Sequence, residues 1–363
     1  MRLSSPLLLL TSVLLSTTVT ADPRSDCVQD LQSIPDFLLK NDTGATAHLA
    51  QKGQAYFDAA LSTALADANK IDDLTQCQAV IQSYLRAWRH GHLAIVAVKQ
   101  PTEQQTAATT DKPKEPQANP NEPVFKQLCE HTALLRIASF GPRYKQPLEM
   151  LLKQHHDQLA NSDYWIIDIR ENGGGADSTY APLLPWIMAD GWQEIGTEWL
   201  VTPSNIQAQQ AICERYMPGD QSCVQQMEPI IKAMQSAPVG SYVQGEDAAI
   251  SFQTVDKLEP KRPQKIVVLT GRKCGSSCEQ FLLTVRQSFN VKLVGQRSYG
   301  SLDYSNLRPH LLPSQQFEVY YATSRSLRLP EMPVDIQGVI PDIYLAQPKD
   351  AQQAQAQLEH VLG

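Results

Sequence analysis

The chain is predicted to adopt an α/β fold behind an N-terminal helical subdomain, and three observations carry that prediction. Between residues 26 and 89, apolar residues recur at three-and-four spacing: Leu31, Ile34, Phe37 and Leu38 in one segment, Val80, Ile81, Tyr84, Leu85 and Trp88 in another. From residue 124 onward, strand-like apolar runs alternate with helix-like segments. One of those runs, the buried-looking Ile266-Val267-Val268-Leu269-Thr270, leads through a small serine-centred turn into a helix-like Phe281-Leu282-Leu283-Thr284-Val285.

Taken in order, the first segment is a targeting signal. Arg2 precedes a short apolar run from Pro6 to Leu15, and Val19-Thr20-Ala21 offers the small residues a signal peptidase reads, so residues 1–21 are expected to be removed after Ala21. No Cys directly follows Ala21, which argues against a lipid anchor, and no other stretch approaches the ~18 uninterrupted apolar residues of a membrane span. The protein is therefore expected to be secreted or periplasmic, without stable membrane insertion. Residues 22–98 form the helical subdomain, ending in the strand-like Ala94-Ile95-Val96-Ala97-Val98. Residues 99–123, rich in Gln, Thr, Pro, Lys and Glu, bury too little to fold alone and read as a flexible linker or loop. The core is expected over 124–348. It has strands at Ala133-Leu134-Leu135-Arg136-Ile137 and Tyr164-Trp165-Ile166-Ile167-Asp168-Ile169, and helices over 148–159 and around 180–188. A polar helical insertion follows over 205–235, with strands at 266–270, 291–294 and 317–321. Residues 349–363 form a C-terminal tail or helix.

A net charge of −7, with Lys and Arg scattered, leaves no basic footprint for nucleic acid. The seven cysteines would enter an oxidising compartment, so disulfides are the default. The preferred pairs are Cys27 with Cys77, Cys213 with Cys223 and Cys274 with Cys278, leaving Cys129, although sequence does not fix connectivity. The four-residue spacing lacks a matching Cys/His cluster, so no metal is expected; nor is any other cofactor.

The chemistry centres on Lys273-Cys274-Gly275-Ser276-Ser277-Cys278-Glu279. A serine between a strand and a helix stands clear of the sheet, beside helix N-terminal amides that can stabilise an oxyanion. A second loop, Arg170-Glu171-Asn172-Gly173-Gly174-Gly175, can present bare backbone amides. It lacks the Gly-Lys-Ser/Thr ending and the G-x-G-x-x-G start of nucleotide sites.

Together these loops resemble the active-site frame of the S41 peptidases, the family of the C-terminal (tail-specific) processing proteases and the tricorn core. Residues 165–175 resemble the family's apolar strand and Asp-x-Arg-x-Asn-Gly-Gly. Gly275-Ser276-Ser277-Cys278-Glu279 resembles its Ala-Ser-Ala-Ser-Glu turn, whose first serine is the nucleophile. Leu135-Arg136-Ile137-Ala138-Ser139-Phe140 resembles its Tyr-Leu-Arg-Ile-x-x-Phe strand. Val294-Gly295 with Ser298-Tyr299-Gly300 and Gly338-Val339-Ile340-Pro341-Asp342 match its later motifs in the right order. The resemblance covers about residues 80–345 and implies a ClpP/crotonase-like core. No segment has the length or composition of a PDZ domain.

One position departs from the pattern. The processing proteases carry a general-base lysine after Thr-x-Gly, where this chain has Ser301. Arg297 stays protonated and cannot serve, and Lys292 lies in a strand on the wrong side of the motif. The tricorn-like branch instead uses an N-terminal histidine, which the resemblance places at His92 in Arg89-His90-Gly91-His92-Leu93, with His90 as the substitute. Imidazole can accept the Ser276 proton and return it to a leaving amine. The same branch places an acid at Asp335, three residues before Gly338, to orient or electrostatically support His92, directly or through an intermediary. The expected oxyanion donors are the Ser277 amide and an amide of the glycine loop, that of Gly174.

Each assignment has a plainer alternative. Ser276 and Ser277 could cap a helix, Asp335 could cap a turn, and His92 could be an ordinary core or surface histidine. Glu279 in the first helical turn is explained by the helix dipole. His155 and His156 read as solvated, and Asn41-Asp42-Thr43 is a glycosylation sequon, a triplet frequent by chance that has meaning only in a eukaryotic secretory host. A Cys274–Cys278 bridge would stiffen the serine turn. The function expected is a serine peptidase acting on peptide or protein substrates through an acyl-enzyme on Ser276. The alternatives are an inactive binding protein on the peptidase fold and an esterase-like acyl hydrolase. The oligomeric state is left open.

Overall fold

The computed structural model describes residues 22–98, 119–245 and 249–346, with Ala356 alone beyond them. The expected signal peptide, most of the linker (99–118) and the expected tail, Ala356 excepted, lie outside the described residues.

Four helices open the chain: α1 (Pro23–Asn41), α2 (Ala45–Lys52), α3 (Gln54–Ala68) and α4 (Leu74–Trp88). Asp22 caps α1 through the Arg24 amide, and Asp73 caps α4 through the Gln76 amide, each satisfying a donor the helix leaves orphaned. The three-and-four stripes seen in the sequence, Leu31, Ile34 and Leu38 on α1 and Ile81, Leu85 and Trp88 on α4, form one buried cluster. Its remaining wall comes from far along the chain, from Phe317, Val319 and Tyr321. Strand β1 (Ala94–Ala97) follows.

The core begins with β2 (Val124–Cys129) and β3 (Thr132–Arg136), then α5 (Lys145–Gln154), α6 (His156–Ala160) and β4 (Tyr164–Asp168). The single helix expected over 148–159 is thus two, parted at His155. The helix expected around 180–188 is a series of short turns including α7 (Asp177–Tyr180) and α8 (Leu184–Ile187), because Pro182 and Pro185 remove helical donors. Next come β5 (Trp192–Ile195), β6 (Thr197–Leu200), α9 (Pro203–Tyr216), α10 (Gln221–Ser236), β7 (Tyr242–Gln244) and β8 (Ile250–Gln253). The chain continues through β9 (Lys265–Thr270), α11 (Ser277–Val285), β10 (Val291–Gly295), β11 (Tyr304–Leu311), β12 (Phe317–Ser326) and β13 (Ile343–Tyr344).

The main sheet has the order β13-β10-β9-β4-β3-β2, parallel throughout except for the antiparallel edge strand β2. Its central strands are buried on both faces: Trp165 and Ile167 of β4 enter one apolar cluster, and Ile166 enters another on the opposite face. Because β4 and β9 are parallel neighbours, with Asp168 paired to Leu269, both chains leave the sheet at the same edge. That edge, at the carboxyl ends of the strands, is where open α/β sheets place their ligands. The glycine loop after β4 and the serine turn after β9 therefore meet. A second sheet, β1-β12-β6-β7 with β11 also on β12, carries the four helices on one face. It brings the histidine-bearing segment before β1 to the same region, since β1 pairs antiparallel with β12, Ala94 opposite Tyr320.

The α/β expectation, with helices preceding the core, is met. Cys27–Cys77, Cys213–Cys223 and Cys274–Cys278 are bonded and Cys129 is free and exposed, as preferred from the sequence. The Asn41 sequon is buried, its asparagine bonded to Phe37 and Thr202, so it presents no side chain for glycosylation.

Candidate active site

Ser276 sits at the N-terminus of α11 with φ 57° and ψ −127°, a left-handed conformation that costs a non-glycine residue about 1–3 kcal/mol. Five non-glycine residues among those described have positive φ, and Ser276 and His92 are two of them. Strain of this kind persists only where surrounding contacts enforce it, and here the contacts are visible. The Ser276 amide donates to the Ser301 carbonyl at 3.2 Å and to the Glu279 carboxylate at 3.2 Å. Glu279, fully buried, also accepts from the Ser298 hydroxyl (2.5 Å) and the amides of Gly300 (2.7 Å) and Ser301 (2.9 Å). Burial raises its carboxyl above the usual range, and the four donors oppose that rise. The dipole explanation for Glu279 is therefore incomplete: the side chain ties the serine turn to the 298–301 loop. The Cys274–Cys278 bridge closes the turn from the other side, and the Cys274 carbonyl accepts the Tyr299 amide at 2.7 Å.

The glycine loop presses on the nucleophile. At Gly174, with φ 96°, a Cβ would stand 2.5 Å from the Gly275 carbonyl oxygen, 2.9 Å from Ser276 Cβ and 3.2 Å from the Ser277 amide nitrogen, so only glycine fits. Asn172, fully buried, locks this loop by donating to the Ile137 carbonyl (3.1 Å) and accepting the Gly174 amide (2.8 Å). The Gly174 amide, the expected second oxyanion donor, is thus engaged by Asn172 in this structure. The Ser277 amide, in contrast, has no acceptor among the described residues, and its nitrogen lies 3.2 Å from where a Gly174 Cβ would stand.

His92 is held from behind. Its Nδ1 bonds the Tyr304 carbonyl at 2.5 Å, which requires a proton on Nδ1 and leaves the lone pair on Nε2. Burial lowers its pKa to about 4, so the ring is neutral near pH 7. Arg89 fixes the loop that carries it, donating to the carbonyls of Gly91 (2.9 Å) and His92 (2.8 Å), while its guanidinium pairs with Asp42 at 2.6 and 2.9 Å. Both charged side chains are buried. Sequence reasoning missed Arg89 and Asp42; the only local signal was an arginine next to the His-Gly-His run and an acid in the polar stretch that ends the first helix.

The histidine loop and the serine turn meet on one side chain. A Cβ at Gly91 would lie 2.5 Å from Ser301 Cβ, and a Cβ at Gly275 would lie 3.1 Å from Ser301 Oγ. Tyr299 adds a second link, stacking on the His90 ring at 4.5 Å and donating to the His90 carbonyl at 3.3 Å. His90 is thus turned to the exposed surface and occupied there.

Asp335 does not touch His92, whose Nδ1 is taken by Tyr304. Its Oδ1 instead accepts the amides of Leu302 (2.6 Å) and Asp303 (2.7 Å), and Asp303 returns the favour by accepting those of Val334 and Asp335, both at 2.7 Å. Of the two routes left open by the sequence, direct support or support through an intermediary, these bonds match the indirect one: Asp335 braces the segment leading into Tyr304. Burial, with the Asp303 charge adding to it, pushes the Asp335 carboxyl up to about 7.

Residues 131–345 match the family model of peptidase family S41. The chain belongs to that family. Among solved structures, this S41 chain is similar to mature CPAF, with 11% identity over 89% of this chain and 93% of the other, at a TM-score of 0.56. It is also similar to a lipoprotein from Streptococcus agalactiae, with 14% identity over 95% and 99% of the two chains and a TM-score of 0.47. At 11% identity the likeness to mature CPAF is one of fold. No curated protein matches the sequence. Peptide or protein substrates follow from the family, and no helix among the described residues is long and apolar enough to cross a membrane.

Proposed function

We propose that this S41 chain is a serine peptidase of the extracytoplasmic space, cleaving peptide bonds through an acyl-enzyme on Ser276. The observation that carries the reading is the pairing of a strained serine at a helix N-terminus with a neutral histidine whose free nitrogen is Nε2, their two loops meeting on Ser301. His92 takes the Ser276 proton as Oγ attacks the scissile carbonyl, and returns it to the leaving amine as the acyl-enzyme forms. Water then repeats the cycle to release the acyl group. The Ser277 amide stabilises the oxyanion, a contribution of about 3 kcal/mol for one such donor. A second donor at Gly174 requires its bond to Asn172 to open or to be shared. Asp335 supports the base through the Leu302–Asp303 backbone. Export, with cleavage after Ala21, is supported by the three disulfides, which persist in oxidising compartments.

A fluorophosphonate probe tests this. The wild-type protein is expected to be labelled, Ser276→Ala to be unlabelled, and His92→Ala to be labelled at least about 100-fold more slowly. Wild-type labelling rates in either variant would overturn the assignment of that residue. An unlabelled wild type would point to a binding protein on the same fold, and turnover of esters without peptides would point to an esterase.

A further inference from the structure

Downstream of Ser276, the helix it opens borders a cavity. Gln280 and Leu283 of α11, Arg286 just past it, Ile195 of β5 and residues 332–334 and 338–340 line a space of about 510 Å³, within the range of small-molecule sites. Neither Ser276, Gly174 nor His92 lines it. Leu283, Val334 and Val339 give it apolar walls, and the exposed Met332 and Ile340 extend them toward solvent.

Its polar groups are mostly donors. Arg328 lines the cavity although only 8% of the residue is exposed. Its guanidinium donates to two neutral oxygens, Ser326 Oγ at 3.3 Å and Gln280 Oε1 at 3.0 Å. A guanidinium carries more N–H donors than these bonds use and has no acceptor. The bond to Oε1 also sets the Gln280 amide so that its remaining polar end is the NH2 group, another donor. Arg286, the second guanidinium of the lining, pairs with Asp342 only at 3.8 Å, past hydrogen-bond length. Among the described residues no Asp or Glu lines the space. Burial lowers the pKa of Arg328, and Asp303, Glu194, Asp177 and Tyr180 oppose that through space; an arginine keeps its charge regardless.

A buried guanidinium with donors to spare, set among apolar walls, suits an anion carried on an apolar body. We propose that this cavity is a binding site for an organic carboxylate, its charged group on Arg328 and its apolar body against Leu283, Val334 and Val339. A fatty acid and the C-terminal residue of an apolar peptide share that chemistry. The site is separate from the reacting residues, so the inference stands independently of the peptidase reading.

The test is calorimetric titration of the purified full chain with octanoate and with N-acetyl-Leu-Leu, each compared with its uncharged amide. At least one carboxylate should bind with a Kd below about 1 mM and at least about tenfold more tightly than its amide. A margin of about tenfold between the two carboxylates would assign the source, fatty acid or peptide end. Arg328→Met should weaken carboxylate binding at least about tenfold and leave the amides within about threefold. Where that buried substitution prevents folding, Ile340→Glu serves instead. It places a like charge on the exposed part of the lining and should weaken the carboxylates at least about fivefold while sparing the amides. Failure of both carboxylates to saturate up to about 10 mM would overturn the inference, as would equal binding of carboxylate and amide. Carboxylate binding unchanged in folded Arg328→Met or in Ile340→Glu would overturn the assignment to this cavity.

Discussion

Replacing Arg89 with Met should both destabilise the protein and disarm the histidine. The guanidinium makes two bonds to Asp42 and one each to the carbonyls of Gly91 and His92, with 2% of its side chain and none of that of Asp42 exposed. Methionine fills much of the volume but leaves a buried carboxylate without its cation, a loss of roughly 3–5 kcal/mol. Asp42 keeps its bonds from the amides of Gly44 and Ala322, both at 2.9 Å, so the lower end, about 3 kcal/mol, is expected. With a urea m-value near the upper end of the usual range, about 3 kcal/mol/M, the unfolding midpoint should fall by about 1 M. The two carbonyls beside the histidine lose their donor at the same time, and the His92 ring loses its fixed approach. Fluorophosphonate labelling of the folded variant should slow toward the rate of His92→Ala. A variant that loses the stability but labels at the wild-type rate would refute the positioning role, and one that loses neither would refute the energetics.

Two further expectations concern protons. Asp335→Asn keeps an oxygen for the Leu302 and Asp303 amides, so its labelling rate should fall by less than about tenfold, whereas an aspartate bonded directly to the base is worth about 10⁴. The raised pKa of Asp335, about 7, means that the native state holds a proton the unfolded chain releases. Stability from this group is full below pH ~4 and lost as pH rises through 7. Asp335→Asn should therefore gain stability relative to the parent above pH 7 in parallel urea titrations, and a constant difference from pH 5 to 8 would contradict this. For His92, lowered to about 4, the acid limb of kcat/KM on a neutral substrate should fall below pH ~5 and not near 6.5. A limb at 6.5 that disappears with His92 would show the ring to be solvated.

The missing lysine of the processing-protease branch has a steric counterpart. Ser301 occupies that position with Gly91 packed on its Cβ and Gly275 near its Oγ. A long side chain there would have to displace the histidine loop. The small residue at 301 and the glycine at 91 are thus two halves of one contact, and each was readable only as an isolated departure from a pattern.

The preferred disulfide pairs became definite only in the fold, whereas the sequence by itself determined the alternation of strand and helix, the buried central strands and the serine and glycine loops. These follow from local periodicity, from chain reversal at small residues and from motif spacing. It did not reveal that the helices pack on β12, because that wall is contributed by Phe317, Val319 and Tyr321, remote in sequence. Nor could it show that Tyr304 offers a backbone carbonyl to His92, since a carbonyl carries no residue identity. The roles of Glu279, Asp335 and Asn172 were decided the same way, by which backbone amides each side chain meets once the sheets have formed. Tertiary structure fixes those partners because they belong to segments that approach only when β1 joins β12 and β4 joins β9.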